Sequence, residues 1–320
     1  MMNKEAGNSK QLIESLKDNE QYKIIERYNK PDYYNKDDDS SEKLIGVFLD
    51  VETTGLDYLE DKIIELAMVS FEYNQNGKIF RILNEFHRYM DPRFPIPPHI
   101  TNLTGISNEM VKDKKISLTE VEVFLENASL IVSHNVRFDR SFMEAAFLTL
   151  PQKPWACSMN HVYWQEEGIE SNKLEYIAYK QGFFYEKHRA SADCLAGIHI
   201  LAQTLPKSQK SVLSTILENS SKVTFKLHAT SAPYEYKNLL KKRGYRWGQH
   251  LQQQSPCWSI ELSKDKIKDE IDYLRTKVYM RHVSLPIDII NAYTRFSTLN
   301  LPDSNADKYS KEELSWVRGL

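Results

Sequence analysis

Asp50 and Glu52 stand one residue apart at the end of an apolar run, in "GVFLDVETTGL" (46–56). In an extended strand alternate side chains share a face, so both carboxylates point the same way. Two such charges about 4 Å apart repel by roughly 4 kcal/mol at an effective dielectric near 20. Further along, "SHNVRFDRSFM" places Asp139 near the start of a helix directly behind a short apolar strand. "HRASADC" places His188 five residues before Asp193, which is itself early in a helix. Each acid sits at the edge of an apolar element, where side chains can converge on one cleft. Four carboxylates crowded there need cations, and hard oxygen ligands suit Mg²⁺ or Mn²⁺, two ions for four acids. Singly, each feature has a plainer use: surface charge on a strand, a histidine capping a helix, an aspartate at a helix N-terminus. Only the joint pattern is specific.

The surrounding pattern supplies the elements that would hold these groups. "LIGVFLDV" reads as a buried strand, and "KIIELAMVSFEY" and "KIFRILNEFHRYM" as two more, split by a turn around Asn76–Gly77. The Pro-rich "DPRFPIPPHI" leads to short helices, the first capped at Thr101 or just before it. "SNEMV" and "SLTEVEVFLENA" follow, and Ser117 with Glu120 matches a capping box. "SLIVSHN" is a short strand, and "RFDRSFMEAAFLTL" a helix with an apolar face. "NKLEYIAYKQGF" and "ASADCLAGIHILAQTL" read as two further helices. Strands in hairpins, then strand and helices in alternation, imply an α/β architecture with a mixed sheet and helices on its faces.

Three of these stretches, "FLDVETTGL", "SHNVRFDRSFM" and "HRASADC", closely resemble the exonuclease motifs of the DEDDh 3′–5′ exonucleases. That DnaQ-like superfamily includes the proofreading epsilon subunit of bacterial DNA polymerase III. "HITNLTGISNEMV" is similar to the segment those enzymes carry between their first two motifs. The resemblance covers about residues 44–205 and implies a ribonuclease H-like fold, a mixed central sheet flanked by helices. It carries the catalytic acids over as Asp50, Glu52, Asp139 and Asp193, all four as metal ligands, and the fifth catalytic residue as His188. It implies two-metal hydrolysis of a phosphodiester, with Asp50 bridging, Glu52 and Asp193 completing one site, and Asp139 acting through water on the other. His188, with a reference pKa near 6.5, then suits general-base work. The product would be a nucleoside 5′-monophosphate from a 3′ end. Thr53, Thr54 and Leu56 occupy positions where family members hold the terminal nucleotide. Asn135 and Phe138 are candidates to orient the strand or line the cleft, with core packing the alternative for Leu56 and Phe138. His134 reads as structural.

Downstream the pattern restarts. "KVTFKLHAT", "YRWGQHL", "CWSIEL" and "HVSLPIDIINAYTRFS" read as strands, and "APYEYKNLLKKRG" and "KDKIKDEIDYLRTKVYM" as helices, the first stopped at Gly244. The result is a small βαββαβ unit. Residues 221–300 carry 14 Lys and Arg against 7 Asp and Glu, although the whole chain has a net charge of −2. In "YKNLLKKRGYRWGQ" basic residues that neutralise phosphates alternate with aromatics that stack on bases. The other reading is core tryptophans beside a solvated lysine face. The expected organisation is an N-terminal extension and linker over 1–43, an exonuclease domain over 44–205, and a linker over 206–221. A small basic α+β domain over 222–300 and a tail over 301–320 complete it. "QLIESLKDNEQYKIIERYN" fits an amphipathic helix, and the run Asp37–Asp39 reads as solvated loop.

Three widely separated cysteines, Cys157, Cys194 and Cys257, fit a reducing cytosol and argue against a disulfide framework. No apolar run approaches the roughly 18 residues that cross a bilayer. The start, "MMNKEAGNSKQLIESL", lacks a signal peptide's apolar stretch, so a cytoplasmic protein without a membrane partner is expected. The activity expected is 3′–5′ hydrolysis of DNA with Mg²⁺ or Mn²⁺, in proofreading, repair or degradation. The alternatives are an exoribonuclease of the same fold or a non-catalytic nucleic-acid-binding protein. "QTLPKSQKSVL" is a poor match to a sliding-clamp peptide, and the epsilon subunit's short polymerase-binding tail is replaced here, so polymerase or clamp association has little support.

Overall fold

The computed structural model describes residues 13–16, 19–36, 40–248 and 255–299. Asp37–Asp39 and the 301–320 tail lie outside the described residues. Strand β1 (Glu26–Arg27) precedes the main sheet of β2 (Leu44–Thr53), β3 (Ile63–Tyr73), β4 (Ile79–Tyr89), β5 (Leu130–Ser133) and β6 (Trp155–Cys157). Their order is β4-β3-β2-β5-β6. The first three strands are antiparallel, while β5 and β6 run parallel to β2. This is the mixed, helix-flanked sheet of a ribonuclease H-like fold. The β3–β4 turn is tied by the Asn74 side-chain oxygen, which accepts from the backbone N–H groups of Asn76 and Lys78.

Both faces of this sheet are covered, and the alternation along β2 divides them. Val47, Leu49 and Val51 pack with Val121, Leu125, Phe142 and Met143, from helices Leu118–Leu125 and Val136–Ala146. Phe48 faces the other way, toward helices Leu174–Lys180 and Ala190–Leu201. The second of these lies close on β2: a Cβ added at Gly197 would stand 2.2 Å from the Phe48 ring. Asp50 and Glu52 continue the Phe48 face, so the chain's own periodicity points them at the helix that carries Asp193.

The second sheet has the order β11-β8-β10-β9, from β8 (Thr224–Ala229), β9 (Arg246–Gly248), β10 (Cys257–Leu262) and β11 (Ile287–Ile290), all antiparallel. Helices Lys237–Lys242 and Lys264–Lys277 cover its apolar face through Leu240, Ile267, Ile271 and Leu274. Gly244, at φ +95°, ends the first helix in a backbone region that other residues enter only at a cost.

Several expectations are corrected. Residues 206–221 are not a bare linker. They include helix Val212–Ser221, capped by the Ser211 hydroxyl, whose Val212, Leu213 and Ile216 join the main core. The serines and lysines of the surrounding segment hide its short apolar stripe. The N-terminal segment is helical at 13–16, but Glu26–Arg27 is a strand paired in parallel with β7 (Phe183–Phe184). The first connecting helix starts at Pro98 rather than near Thr101, because proline is preorganised for the first helical turn. Ser117 sits at the N-cap without a side-chain cap bond, and Glu120 instead accepts from Arg88 at 2.8 Å. The last expected strand stops at Ile290, where the Asn291 side chain accepts from the N–H groups of Tyr293 and Thr294 and turns the chain. Among the described residues no helix is long and apolar enough to cross a membrane.

The turn starts a strap, residues 291–298, that joins the two sheets. Arg140 donates to the carbonyls of Tyr293 (2.7 Å) and Arg295 (2.9 Å) and pairs with Glu144 (2.7 Å). Glu144 also accepts from the hydroxyls of Ser297 and Thr298. Arg295 donates to the Lys222 carbonyl and the Thr224 hydroxyl, and the Trp155 N–H to the Ala292 carbonyl. Buried pairs are expensive to break from one side, because the survivor loses both water and partner. Arg140→Met is therefore expected to cost about 3–5 kcal/mol, read as a lower urea midpoint. An unchanged midpoint would show that the strap adds no stability.

Candidate active site

The acids meet where β2 outruns its neighbour. β5 pairs with β2 only over Gly46–Phe48, so beyond Phe48 that edge of β2 has lost its ladder partner. The chain leaves β5, passes Asn135 in the left-handed region at φ +80°, and enters helix Val136–Ala146. Asp139, in the first turn and 2% exposed, takes over the missing ladder position: its Oδ1 accepts from the Val51 N–H at 3.2 Å. From the other side helix Ala190–Leu201 brings up Asp193. One carboxylate oxygen from each of Asp50, Glu52 and Asp193 lies within 4.8 Å of the other two. Asp139 stands outside this triplet yet feels the charges of Glu52 and Asp193.

This crowding alters the acids. Burial, then Asp139, Asp193, Glu52 and Glu65, push the Asp50 carboxyl well above the usual range. Burial, followed by Asp193 and Glu65, raises Glu52 to about 8, against the opposing pull of Arg189. Burial raises Asp193 to about 6, although it accepts from the Tyr185 hydroxyl (2.8 Å) and the Arg189 N–H (3.2 Å). Burial raises Asp139 too, against its bond from Val51.

Such a donor set fits hard divalent ions, which relieve the repulsion by taking carboxylate oxygens. The one sulfur nearby is unsuited to a soft metal. The Cys194 thiol donates to the Ala67 carbonyl, and burial and the negative field of the acids hold it protonated. Because carboxylates must lose their protons to bind metal, affinity should climb with pH between about 6 and 8. The raised values also mean that the metal-free fold is favoured below the ordinary carboxylate range and loses that advantage as pH rises through about 8. Both effects widen the gap between melting temperatures in Mn²⁺ and in chelator from pH 6 to pH 8. A constant gap would contradict the assignment.

Glu65, Arg189 and Tyr185 were not foreseen. Glu65 is fully buried on β3, directly across from Glu52. It bonds His87 Nε2 at 2.6 Å, accepts from the Ala190 N–H at 3.1 Å, and lies 3.7 Å from Arg189. Arg189 in turn donates to the Tyr89 hydroxyl at 2.7 Å. These bonds fasten the N-terminus of the Asp193 helix to the sheet. A glutamate between "KII" and "LAMV" signals only that one strand position is polar. Its partners come from remote segments.

His188 is not among the groups brought together. It sits at φ +63°, strained for a non-glycine residue by about 1–3 kcal/mol. Its backbone N–H bonds to Asp193. Its ring makes no hydrogen bond among the described residues; burial and Lys187 lower its pKa, and Glu175 opposes them. His134, by contrast, is fixed at both ring nitrogens, by Ser158 (2.8 Å) and the Asn172 carbonyl (2.7 Å), and burial lowers it to about 4.

The candidate substrate contacts divide as well. The Thr53 hydroxyl donates to the Gly55 carbonyl (2.5 Å) and that of Thr54 to Asp61 (3.0 Å), so both are spent on folding the loop. Leu56, 87% exposed, is not core. Phe138 is half-buried against Phe142 (ring centroids 4.8 Å apart), and Asn135 is exposed.

Residues 47–201, just under half of the chain, match the exonuclease family RNase_T. The fold and the acid cluster thus define a nuclease domain. Among curated relatives, the PolC-type DNA polymerase III of Pediococcus pentosaceus is 42% identical over 105 residues, which are 32% of this chain and 7% of that protein. The PolC-type DNA polymerase III of Caldanaerobacter subterraneus is 31% identical over 187 residues, 55% of this chain and 12% of that protein. The chain thus spans about a tenth of the length of these relatives. A solved zinc-bound complex of E. coli ExoI with single-stranded DNA is similar at 15% identity and a TM-score of 0.46, covering 86% of this chain and 68% of that one.

Proposed function

We propose that the protein is a 3′–5′ exonuclease that hydrolyses DNA to nucleoside 5′-monophosphates with two Mg²⁺ or Mn²⁺ ions. The observation that carries this reading is the convergence of Asp50, Glu52 and Asp193 within 4.8 Å, with Asp139 anchored beside them on Val51. Ions held there would supply Lewis acidity to water and charge neutralisation at the attacking and leaving oxygens. Asp50 would serve both ions, Glu52 and Asp193 one, and Asp139 the other. The Tyr185 hydroxyl and the Arg189 N–H hold the Asp193 carboxylate in place by occupying part of its accepting capacity. Glu65 fixes the helix on which Asp193 rides. Leu56, standing out from a loop pinned by Asp61, offers an apolar surface to the terminal base, and Asn135 and Phe138 flank the strand. His188 acts as general base once its loop turns the ring toward the acids.

DNA is favoured over RNA because the curated relatives are DNA polymerases. A polymerase partner is a weaker extension of the same similarity. The test is a gel of 5′-labelled single-stranded DNA, duplex DNA and RNA, run with Mg²⁺, Mn²⁺ or chelator and with a 3′-blocked strand. A ladder from DNA that needs both metal and a free 3′ hydroxyl is expected. Retarded but intact strands would mean a binding protein, and a ladder from RNA alone would mean a ribonuclease.

A further inference from the structure

The second sheet turns a polar face toward the helix that carries Asp139. Cross-strand pairing sets Arg246, Ser259 and His228 in one row and Glu261, Lys226 and Asp288 in the next, all on the side away from Phe225 and Leu227. On helix Val136–Ala146, Arg140 is held by the strap, and Arg137 lies one turn earlier on the same face. The strap thus brings the polar face of the sheet to the end of the helix where Asp139 sits.

The cations on this surface are short of partners. His228 takes Asp288 at 2.7 Å, and Arg295 takes Glu261 at 3.4 Å. Arg137, Lys226 and Arg246 make no ion pair or hydrogen bond among the described residues. Lys226 is partly buried, and burial together with the Arg137 charge depresses its pKa, although Asp288 and Glu261 oppose them. Lys226 is half-buried with the exposed Arg137 close enough to repel it, and an anion bridging the two would relieve that repulsion. Arg243, by contrast, is already committed: it pairs with Glu270 at 2.6 Å and stacks on Tyr273. Trp247 is on the opposite face, packed edge-on against Trp258.

We propose that Arg137, Lys226 and Arg246 bind successive phosphates of a single DNA strand, on the 5′ side of the bond cut at the acid cluster. The proposal rests on the exonuclease reading and adds the path of the strand. The helix end to be passed is about 10 Å wide with its side chains, a span of a few nucleotides at about 3.4 Å or more each. Arg137 and Arg246 are exposed and Lys226 is half-buried, so a strand can reach all three from solvent.

The test compares two substrates of the full chain, oligo-dT and the p-nitrophenyl ester of thymidine 5′-monophosphate, which reaches only the acid cluster. In the Arg137→Gln/Lys226→Gln double variant, kcat/KM on oligo-dT should fall about 10-fold or more, with a log–log salt slope shallower by about 1.4 for two lost contacts. The rate on the ester should move less than about 2-fold, and Lys226→Arg should keep the steep slope. Arg246→Gln, at an exposed position of the edge strand, repeats the comparison by fluorescence anisotropy of labelled oligo-dT in chelator, should the double variant not fold. Equal losses on both substrates, or an unchanged salt slope, would overturn the proposal while leaving the nuclease reading standing. Wild-type protein that cleaves neither substrate would overturn both.

Discussion

Asp50→Asn is expected to abolish hydrolysis and, in the same protein, to raise the melting temperature measured in chelator. The two effects have one cause. The Asp50 carboxylate shares its recess with Asp139, Asp193, Glu52 and Glu65, and burial there already holds its proton far more tightly than usual. Asparagine keeps the shape and removes the charge. Without that charge the site loses the acid proposed to serve both ions, and a rate loss of about 1,000-fold or more, about 4 kcal/mol of barrier, is expected. The stability effect follows from linkage. A carboxyl with a raised folded pKa contributes no penalty below its unfolded value, near 4, and its full penalty once pH has passed the folded value. The variant should therefore gain most on wild type in alkaline chelator and least near pH 4. Normal turnover by a folded variant would remove Asp50 from the mechanism. A lower melting temperature in alkaline chelator would mean that the acids are not in mutual repulsion.

The four acids were legible because each is placed by a local rule. Strand periodicity aligns Asp50 with Glu52, and Asp139 and Asp193 occupy first helical turns after apolar elements. Strand and helix order in the main sheet was legible for the same reason, since buried apolar runs of different period alternate along the chain. What stayed hidden depends on distant partners. Glu65 is in the sequence only a polar position within an apolar strand, and its partners His87, Ala190 and Arg189 come from remote segments. Tyr185 reads as one of many tyrosines until its hydroxyl meets Asp193. Helix Val212–Ser221 reads as linker because only three of its ten residues, Val212, Leu213 and Ile216, fill the main core. Thr53 and Thr54 were legible as part of a motif, but their hydroxyl partners, Gly55 and Asp61, depend on how the loop closes.

His188→Ala should lower kcat by about 100- to 10,000-fold, the usual worth of a general base, with little change in KM. The structure makes this prediction demanding, because the ring's charge environment comes from Lys187 and Glu175 rather than from the four acids. What the fold does fix is the backbone: Asp193 accepts from the N–H groups of both His188 and Arg189, and His188 is held in the left-handed region. On the proposed reading a turn of this segment would carry the ring into the recess, where bound metal and substrate phosphate would replace its present neighbours. Burial and Lys187 lower the imidazole pKa, so the neutral, proton-accepting form predominates at and above neutrality. In the wild type the rate should fall as pH drops through a value below 6.5, and in the variant this acidic limb should flatten. His188→Gly separates the ring from the hinge, because glycine relaxes the backbone while removing the base. If His188→Gly retained wild-type turnover, or if His188→Ala raised KM and left kcat intact, the histidine would be a binding or hinge residue and the proton would leave by another route.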